Sequence, residues 1–240
     1  MPCTTVRGMC TPRILAHRGN TDGPSTVEEN RLPAIRRALA SGWGLEIDIR
    51  RAGDGRFYIS HDPQPSANAL SAEDFCNEVR RFPDATVALN VKECGDEADL
   101  IAFLASENLL RQTFLFDMEL IEPAPGGMAR LFRALHPTVS LAARISDRGE
   151  SIQRALTIDV ASVVWLDEFD TAWATKADVR RLQAAGRAVF AVSPDLHQFP
   201  IGQSRARWLD FYAWGVDGIC TDYPADLARV LDRASQGVAV

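Results

Sequence analysis

The sequence predicts an α/β protein built on a parallel sheet of eight strands, the number that closes a (β/α)8 TIM barrel. Two observations carry this. Eight short apolar runs punctuate the chain, and segments with the apolar spacing of amphipathic helices lie between them. The length agrees: 240 residues, 46% hydrophobic and 24% charged, is ordinary globular composition and close to the about 250 residues such a barrel takes. Residues 1–240 are therefore read as a single domain. A doubly wound open sheet fits the same alternation, and periodicity alone does not choose between the two.

The strand candidates, in order, are RILAH (13–17), GLEIDI (44–49), TVALNV (86–91) and TFLFD (113–117), then VSLAAR (139–144), VASVVWL (160–166), AVFAVS (188–193) and VDGICTD (216–222). Helical segments between them include VEENRLPAIRRALASG, DEADLIAFLASENL, TKADVRRLQAAG and YPADLARVLDRAS. Two of these stop at a glycine, Gly42 and Gly186, as helix ends commonly do. The arginine-rich NRLPAIRRAL reads as a solvated helix face with Pro33 near its start. One stretch breaks the alternation. After the second strand, Asp54-Gly55 is a turn signal followed by the β-favouring RFYIS, which predicts a hairpin at the carboxyl end of that strand. In a barrel this is the end that carries the active site.

The formal charge of −6 argues against holding nucleic acid or an anionic membrane by bulk charge. No apolar run reaches the about 20 residues of a membrane span, and the first residues lack the apolar core of a secretory signal. Five scattered cysteines, Cys3, Cys10, Cys76, Cys94 and Cys220, show no metal or CxxC spacing. They read as free thiols in a reducing cytoplasm. Nucleotide-binding P-loop, dinucleotide and EF-hand motifs are absent from the sequence.

Alternation along the strands then sorts the side chains. In the second strand Leu45, Ile47 and Ile49 suit the outer face, which sends Glu46 and Asp48 into the barrel. In the third, Val87, Leu89 and Val91 face out, with Ala88, Asn90 and Lys92 on the other side. Two inward carboxylates about 7 Å apart repel each other and lose hydration, at a cost of several kcal/mol each unless compensated. A hard divalent cation, Mg²⁺ or Ca²⁺, compensates them most directly. The alternative is an exposed strand whose acidic edge is neutralised by Arg50 and Arg51. His17 at the end of the first strand, His61 after the hairpin, Asn90 and Lys92 all converge on one mouth, which favours the metal-ligand reading.

These residues carry a resemblance. ILAHRGN, then EEN, then LEIDIRRAGDGRFYISHD, with the closing GVDGICTDYP, resembles the glycerophosphodiester phosphodiesterase family, whose pattern runs HRG, EN, ExD, a DG turn and HD. The resemblance implies a TIM-barrel phosphodiesterase with one divalent metal. It also implies His17 and His61 as the catalytic histidines, Arg18 as a phosphate contact, and Glu46 and Asp48 as metal ligands. Members usually add a third carboxylate in an ExK pattern on the third strand, where this chain reads Asn90-Val91-Lys92. The amide oxygen of Asn90 can still ligate a hard metal but brings no charge, so weaker metal affinity is expected. The short stretch between Asp62 and Asn90 leaves no room for the family's longer insertion. The chain is thus similar to a short, capless member, and the headgroup contacts are expected to differ.

The chemistry follows from the residue types. Arg18 suits bidentate phosphate contact and Lys92 supplies a point charge. Two histidines titrating near neutrality suit an acid–base pair around phosphorus. Water as nucleophile gives hydrolysis, and a neighbouring substrate hydroxyl gives a cyclic phosphate. A catalytically inactive barrel that binds a phosphate-bearing ligand is the reading from another class. The expected partner is a small-molecule phosphodiester. Further candidates for substrate contact are Asn30 (otherwise a plain helix residue), Trp165 (otherwise core) and His197 after the seventh strand. Asp117 is read as a substrate or outer-sphere contact or a turn cap, His136 as a helix-end residue, and Asp222 as an anchor for an arginine or lysine.

Overall fold

The computed structural model describes residues 11–122 and 124–237; Cys3 and Cys10 lie outside them. Every strand among the described residues joins one sheet. The barrel strands are β1 (Arg13–His17), β2 (Gly44–Arg51), β5 (Val87–Val91), β6 (Thr113–Phe116), β7 (Ser140–Ile145), β8 (Val163–Leu166), β9 (Ala188–Val192) and β10 (Gly218–Thr221). All run parallel, and pairing of β1 with both β10 and β2 closes the ring. The open-sheet alternative is thereby excluded. The helices are α1 (Leu32–Ala40), α2 (Ala72–Val79), α3 (Glu97–Ser106), α4 (Gly127–Leu135), α5 (Ile152–Thr157), α6 (Lys176–Ala184), α7 (Ile201–Trp214) and α8 (Pro224–Ser235). No helix among the described residues is long and apolar enough to cross a membrane.

The expected hairpin is present. β3 (Phe57–Ile59) runs antiparallel to the end of β2, with Ile49 opposite Ile59, and the two-residue β4 (Leu70–Ser71) pairs with β3 in turn. β4 and α2 left no clear periodic signal. α2 is nucleated locally by the Ser71 side chain, which accepts from the Asp74 amide. The expected helix stops also hold: Gly42 and Gly186 adopt φ of +80° and +79°, where a Cβ is disfavoured. Strand ends are trimmed relative to the apolar runs. Asp117 leaves β6 with φ +66°, and the eighth strand spans Gly218–Thr221 rather than 216–222.

Two apolar layers follow from the period-2 alternation. Leu45, Ile47, Ile49, Val87, Leu89 and Val91 pack outward under the helices. Leu15, Ala88, Phe114, Phe116, Trp165 and Phe190 fill the barrel itself. Large rings on neighbouring strands force small partners: a Cβ on Gly218 would stand 2.4 Å from the Phe190 ring. Above this filled interior, at the carboxyl ends of the strands, space opens among polar side chains.

Candidate active site

A cavity of about 260 Å³ opens at that end. Its lining includes His17, Arg18, Glu46, Asp48, His61 and Lys92 on one side and Asp117, Arg144, Asp167, Phe169 and His197 on the other. Asn90, Phe116 and Trp165 also line it. Trp165 is 3% exposed, with its ring 4.3 Å from that of Phe116. It is both core and floor.

His17 ends β1, and the next residue, Arg18, turns the chain with φ +50°. The His17 Nδ1–H donates to Asp222 Oδ1 at 2.7 Å, and Asn20 Nδ2 donates to the same oxygen at 2.8 Å. The ring's other nitrogen, Nε2, is 3.8 Å from Glu46 Oε2. Burial works against a protonated ring, but the Asp222 hydrogen bond and the nearby Glu46 charge outweigh it and hold His17 above its ordinary pKa. Asp222 therefore anchors a histidine, not the arginine or lysine expected. A carboxylate on Nδ1 fixes the ring and leaves Nε2 for proton transfer.

The two acids of β2 have different fates. Asp48 is 1% exposed. Its Oδ1 pairs with Lys92 Nζ at 3.0 Å, and its Oδ2 faces Arg18 Nε at 3.4 Å and accepts from Asn30 Nδ2 at 3.3 Å. Burial alone would raise its pKa, yet the Lys92 and Arg18 charges hold it below the usual range. Glu46 faces the His17 ring at 3.8 Å in place of such close cations, and its Oε2 is buried with no hydrogen bond. Burial, then the Asp48 charge, pushes its carboxyl up to about 7. The protein's own cations thus outweigh burial at Asp48 but not at Glu46.

His61 is positioned through its backbone. Arg50 Nε and Nη2 donate to the His61 carbonyl at 3.0 and 2.7 Å, and Arg50 Nη1 is held by Glu93 at 2.8 Å. Its ring Nδ1–H donates to Asp62 at 2.9 Å, and the side chain is 42% exposed. Arg50 and Arg51 do not neutralise the inward acids: Arg51 pairs with Asp96 and with Asp99 at 2.6 Å.

Asn90 donates through Nδ2 to Asp117 Oδ2 at 3.1 Å, which gives a reason for an amide here: a carboxylate would face Asp117 without a proton to share. Asp117 also pairs with Arg144, whose Nη2 donates to Asp167 at 2.6 Å. His197 Nε2–H completes the chain, donating to Asp167 Oδ1 at 2.5 Å. The His197 ring lies 4.3 Å from Phe169, whose face also carries the Arg144 and Arg148 guanidinium groups at 4.9 and 4.2 Å. His136 lies away from the mouth, at the end of α4.

Arg144, the role of Asp222, and the Arg50–Glu93 brace were not anticipated. Arg144 had a signal, since alternation in SLAARI points it inward with Ala142. The other two depend on partners tens to hundreds of residues distant.

Among the described residues no three His, Cys, Asp or Glu side chains form a group able to hold a metal ion. The donor set nevertheless fits a single hard cation. Glu46 has an orphaned buried oxygen, Asp48 is ionised beside it, and Asn90 keeps its amide oxygen clear of the Asp117 bond.

The fold is a closed (β/α)8 barrel with a part-buried histidine–carboxylate pair, two acids and two cations at its mouth. No protein-family model matches the chain, and no curated protein does. Solved structures do share the fold. A glycerophosphodiester phosphodiesterase from Agrobacterium tumefaciens is 21% identical with TM-score 0.65, covering 90% of this chain and 98% of that one. A glycerophosphoryl diester phosphodiesterase from Parabacteroides distasonis is 16% identical with TM-score 0.71, covering 96% and 88%. An Oleispira antarctica phosphodiesterase, solved with its product sn-glycerol-3-phosphate, is 21% identical with TM-score 0.66, covering 92% and 97%.

Proposed function

We propose that this chain, as one barrel domain, is a phosphoric diester hydrolase acting on a small glycerophosphodiester-like substrate. The observation that carries the reading is His17, held by Asp222 and turned towards Glu46, beside Arg18 and Lys92 in one cavity. The Oleispira structure with bound sn-glycerol-3-phosphate supports a product of that size.

A phosphodiester is a stable monoanion, so its cleavage needs charge neutralisation, an oriented nucleophile and a proton for the leaving alkoxide. Arg18 and Lys92 bring positive charge to the non-bridging oxygens. Both also bracket Asp48, which keeps the two cations fixed before substrate arrives. His17 offers Nε2, and the Asp222 carboxylate stabilises the ring when it carries a second proton. His61 faces the same cavity and supplies the other half of the transfer: one ring takes a proton from water, the other gives one to the departing alcohol. Asn30 holds Asp48 in place, while Trp165 and His197 contact the alcohol side. Mg²⁺ or Ca²⁺ would be held by Glu46, Asp48 and Asn90, and when bound supplies Lewis-acid stabilisation of phosphoryl charge. The free Cys76, Cys94 and Cys220 suit a reducing cytoplasm.

The test is turnover of bis(p-nitrophenyl) phosphate and of glycerophosphodiesters, with and without EDTA, for wild type, His17→Ala and His61→Ala. Expected is divalent-dependent hydrolysis that falls at least about 10²-fold in each variant. Variants that retain their fold and their turnover overturn the His17/His61 assignment.

A further inference from the structure

Asp222 holds His17, and a third carboxylate holds Asp222. The Asp222 carbonyl accepts from the Gly23 amide at 2.8 Å, and its side chain accepts from Asn20 as well as His17. Its own amide donates to Asp195 Oδ2 at 2.9 Å. Asp195 lies on the short 3₁₀ helix Pro194–His197 that follows β9. The same carboxylate accepts from the Thr221 hydroxyl, at 2.9 and 3.0 Å to its two oxygens, and from the Ser193 hydroxyl. Thr221 is the last residue of β10, so Asp195 grips the end of that strand at two successive residues.

All three donors are uncharged. Burial pushes the Asp195 carboxyl above its ordinary pKa, the Asp222 charge adds to the rise, and the three hydrogen bonds oppose it without cancelling it. A half-buried carboxylate set behind a second one is a poor choice for stability alone. Asp195 does not line the cavity, whereas His197, two residues on, does. His197 reaches the opposite wall through its hydrogen bond to Asp167. One turn of chain therefore fastens to the anchor of His17 through Asp195 and to the Asp117–Arg144–Asp167 chain through His197. Ser193, just before that turn, accepts from the fully buried Trp208 Nε1 at 2.6 Å, which ties it to α7.

We propose that Asp195 is a positioning residue for the reaction. Through the Asp222 amide it places the carboxylate that aims the His17 ring, and the turn that carries it sets His17 relative to the far wall. The inference rests on the hydrolase reading above and adds to it a residue outside the cavity.

The experiment compares Asp195→Ala and Asp195→Asn with wild type, in steady-state kinetics on glycerophosphodiesters and bis(p-nitrophenyl) phosphate and in urea denaturation. Alanine leaves the Asp222 amide and the Thr221 hydroxyl without their acceptor, while asparagine keeps an acceptor oxygen and drops the charge. Expected is a kcat about tenfold lower in Asp195→Ala at unchanged KM, most of it recovered in Asp195→Asn. Where Asp195→Ala does not fold, Thr221→Val takes its place, since it keeps the shape and removes one of the two β10 contacts. Its kcat is expected to fall about threefold at unchanged KM. A folded variant that keeps its kcat, a loss shared between kcat and KM, or an alanine loss that asparagine does not recover overturns the positioning role and leaves the hydrolase reading intact. Wild-type protein that cleaves neither substrate, with Mg²⁺ or Ca²⁺ present, overturns the hydrolase reading and the role with it.

Discussion

The two walls of the barrel mouth are charged in opposite manners. On the wall from β6 to β9, Asp117, Arg144, Asp167 and His197 form a closed chain in which each carboxylate is held from both sides; of the Arg144 nitrogens only Nε lacks an acceptor. On the wall from β1 to β5, Asp48 is over-partnered while Glu46 Oε2, Arg18 Nε and Asn30 Oδ1 are buried without hydrogen bonds. Unsatisfied buried polar groups are rare and call for an explanation. They gather beside His17, while the other wall, whose carboxylates Asp117 and Asp167 are each held twice, carries Arg144 Nε and Glu119 Oε2; in the proposed reading the first wall receives the ligand and the second supports it.

Breaking the closed chain gives the largest effect. Arg144→Ala leaves Asp117 and Asp167 buried without their cation and is expected to cost about 3–5 kcal/mol of stability, read as a lowered chemical-denaturation midpoint. A loss under about 1 kcal/mol would mean the far wall is not the support described. Next comes Asp222→Asn, which keeps the shape but removes the charge that holds His17. Diester turnover should fall about 10²-fold with little change in denaturation midpoint, separating a positioning role from a structural one.

Glu46→Gln sharpens the contrast from the other side. In metal-free protein, Glu46 keeps its proton in the fold up to about 7, against an ordinary value of 4.5. Below 4.5 both folded and unfolded chains hold the proton and there is no penalty. As pH rises towards 7 only the unfolded chain ionises, so stability falls across that window and then levels. The glutamine variant should be more stable than wild type by about 1–3 kcal/mol at pH 8 and equal to it at pH 4, while losing activity. A variant less stable at pH 8 would show that Glu46 is satisfied in solution.

The smallest effect is expected at Glu119. Its Oε1 accepts from the Arg144 amide at 2.9 Å, its Oε2 has no partner, and burial pushes its carboxyl up to about 7. The same sign applies: Glu119→Gln should gain about 1 kcal/mol at pH 8 and nothing at pH 4, measured by urea denaturation at both values. Because Glu119 braces the far wall from outside the proposed chemistry, its variant should keep turnover, unlike that at Glu46.

Much of this was legible in the sequence because barrel strands are short and their alternation is strict. GLEIDI alone placed Glu46 and Asp48 inward, and TVALNV did the same for Ala88 and Asn90. The DG turn predicted the hairpin that carries His61 to the mouth. The less legible elements were those with weak local patterns, β4 and α2, which are settled by packing against β3. Arg144 was visible in principle: an inward arginine in SLAARI is expensive unless paired, which points to acids on neighbouring strands.

By itself, then, the sequence determined strand count, facing and the identity of the polar residues at the mouth, because these depend on period-2 alternation and local turn chemistry. Only the tertiary structure decided their pairing. Ring closure brings Asp222, at the far end of the chain, to 2.7 Å from His17. It pairs Lys92 and Arg18 with Asp48 and leaves Glu46 facing the His17 ring at 3.8 Å. Such choices rest on distances of a few ångströms between residues far apart in the chain, which no local pattern encodes.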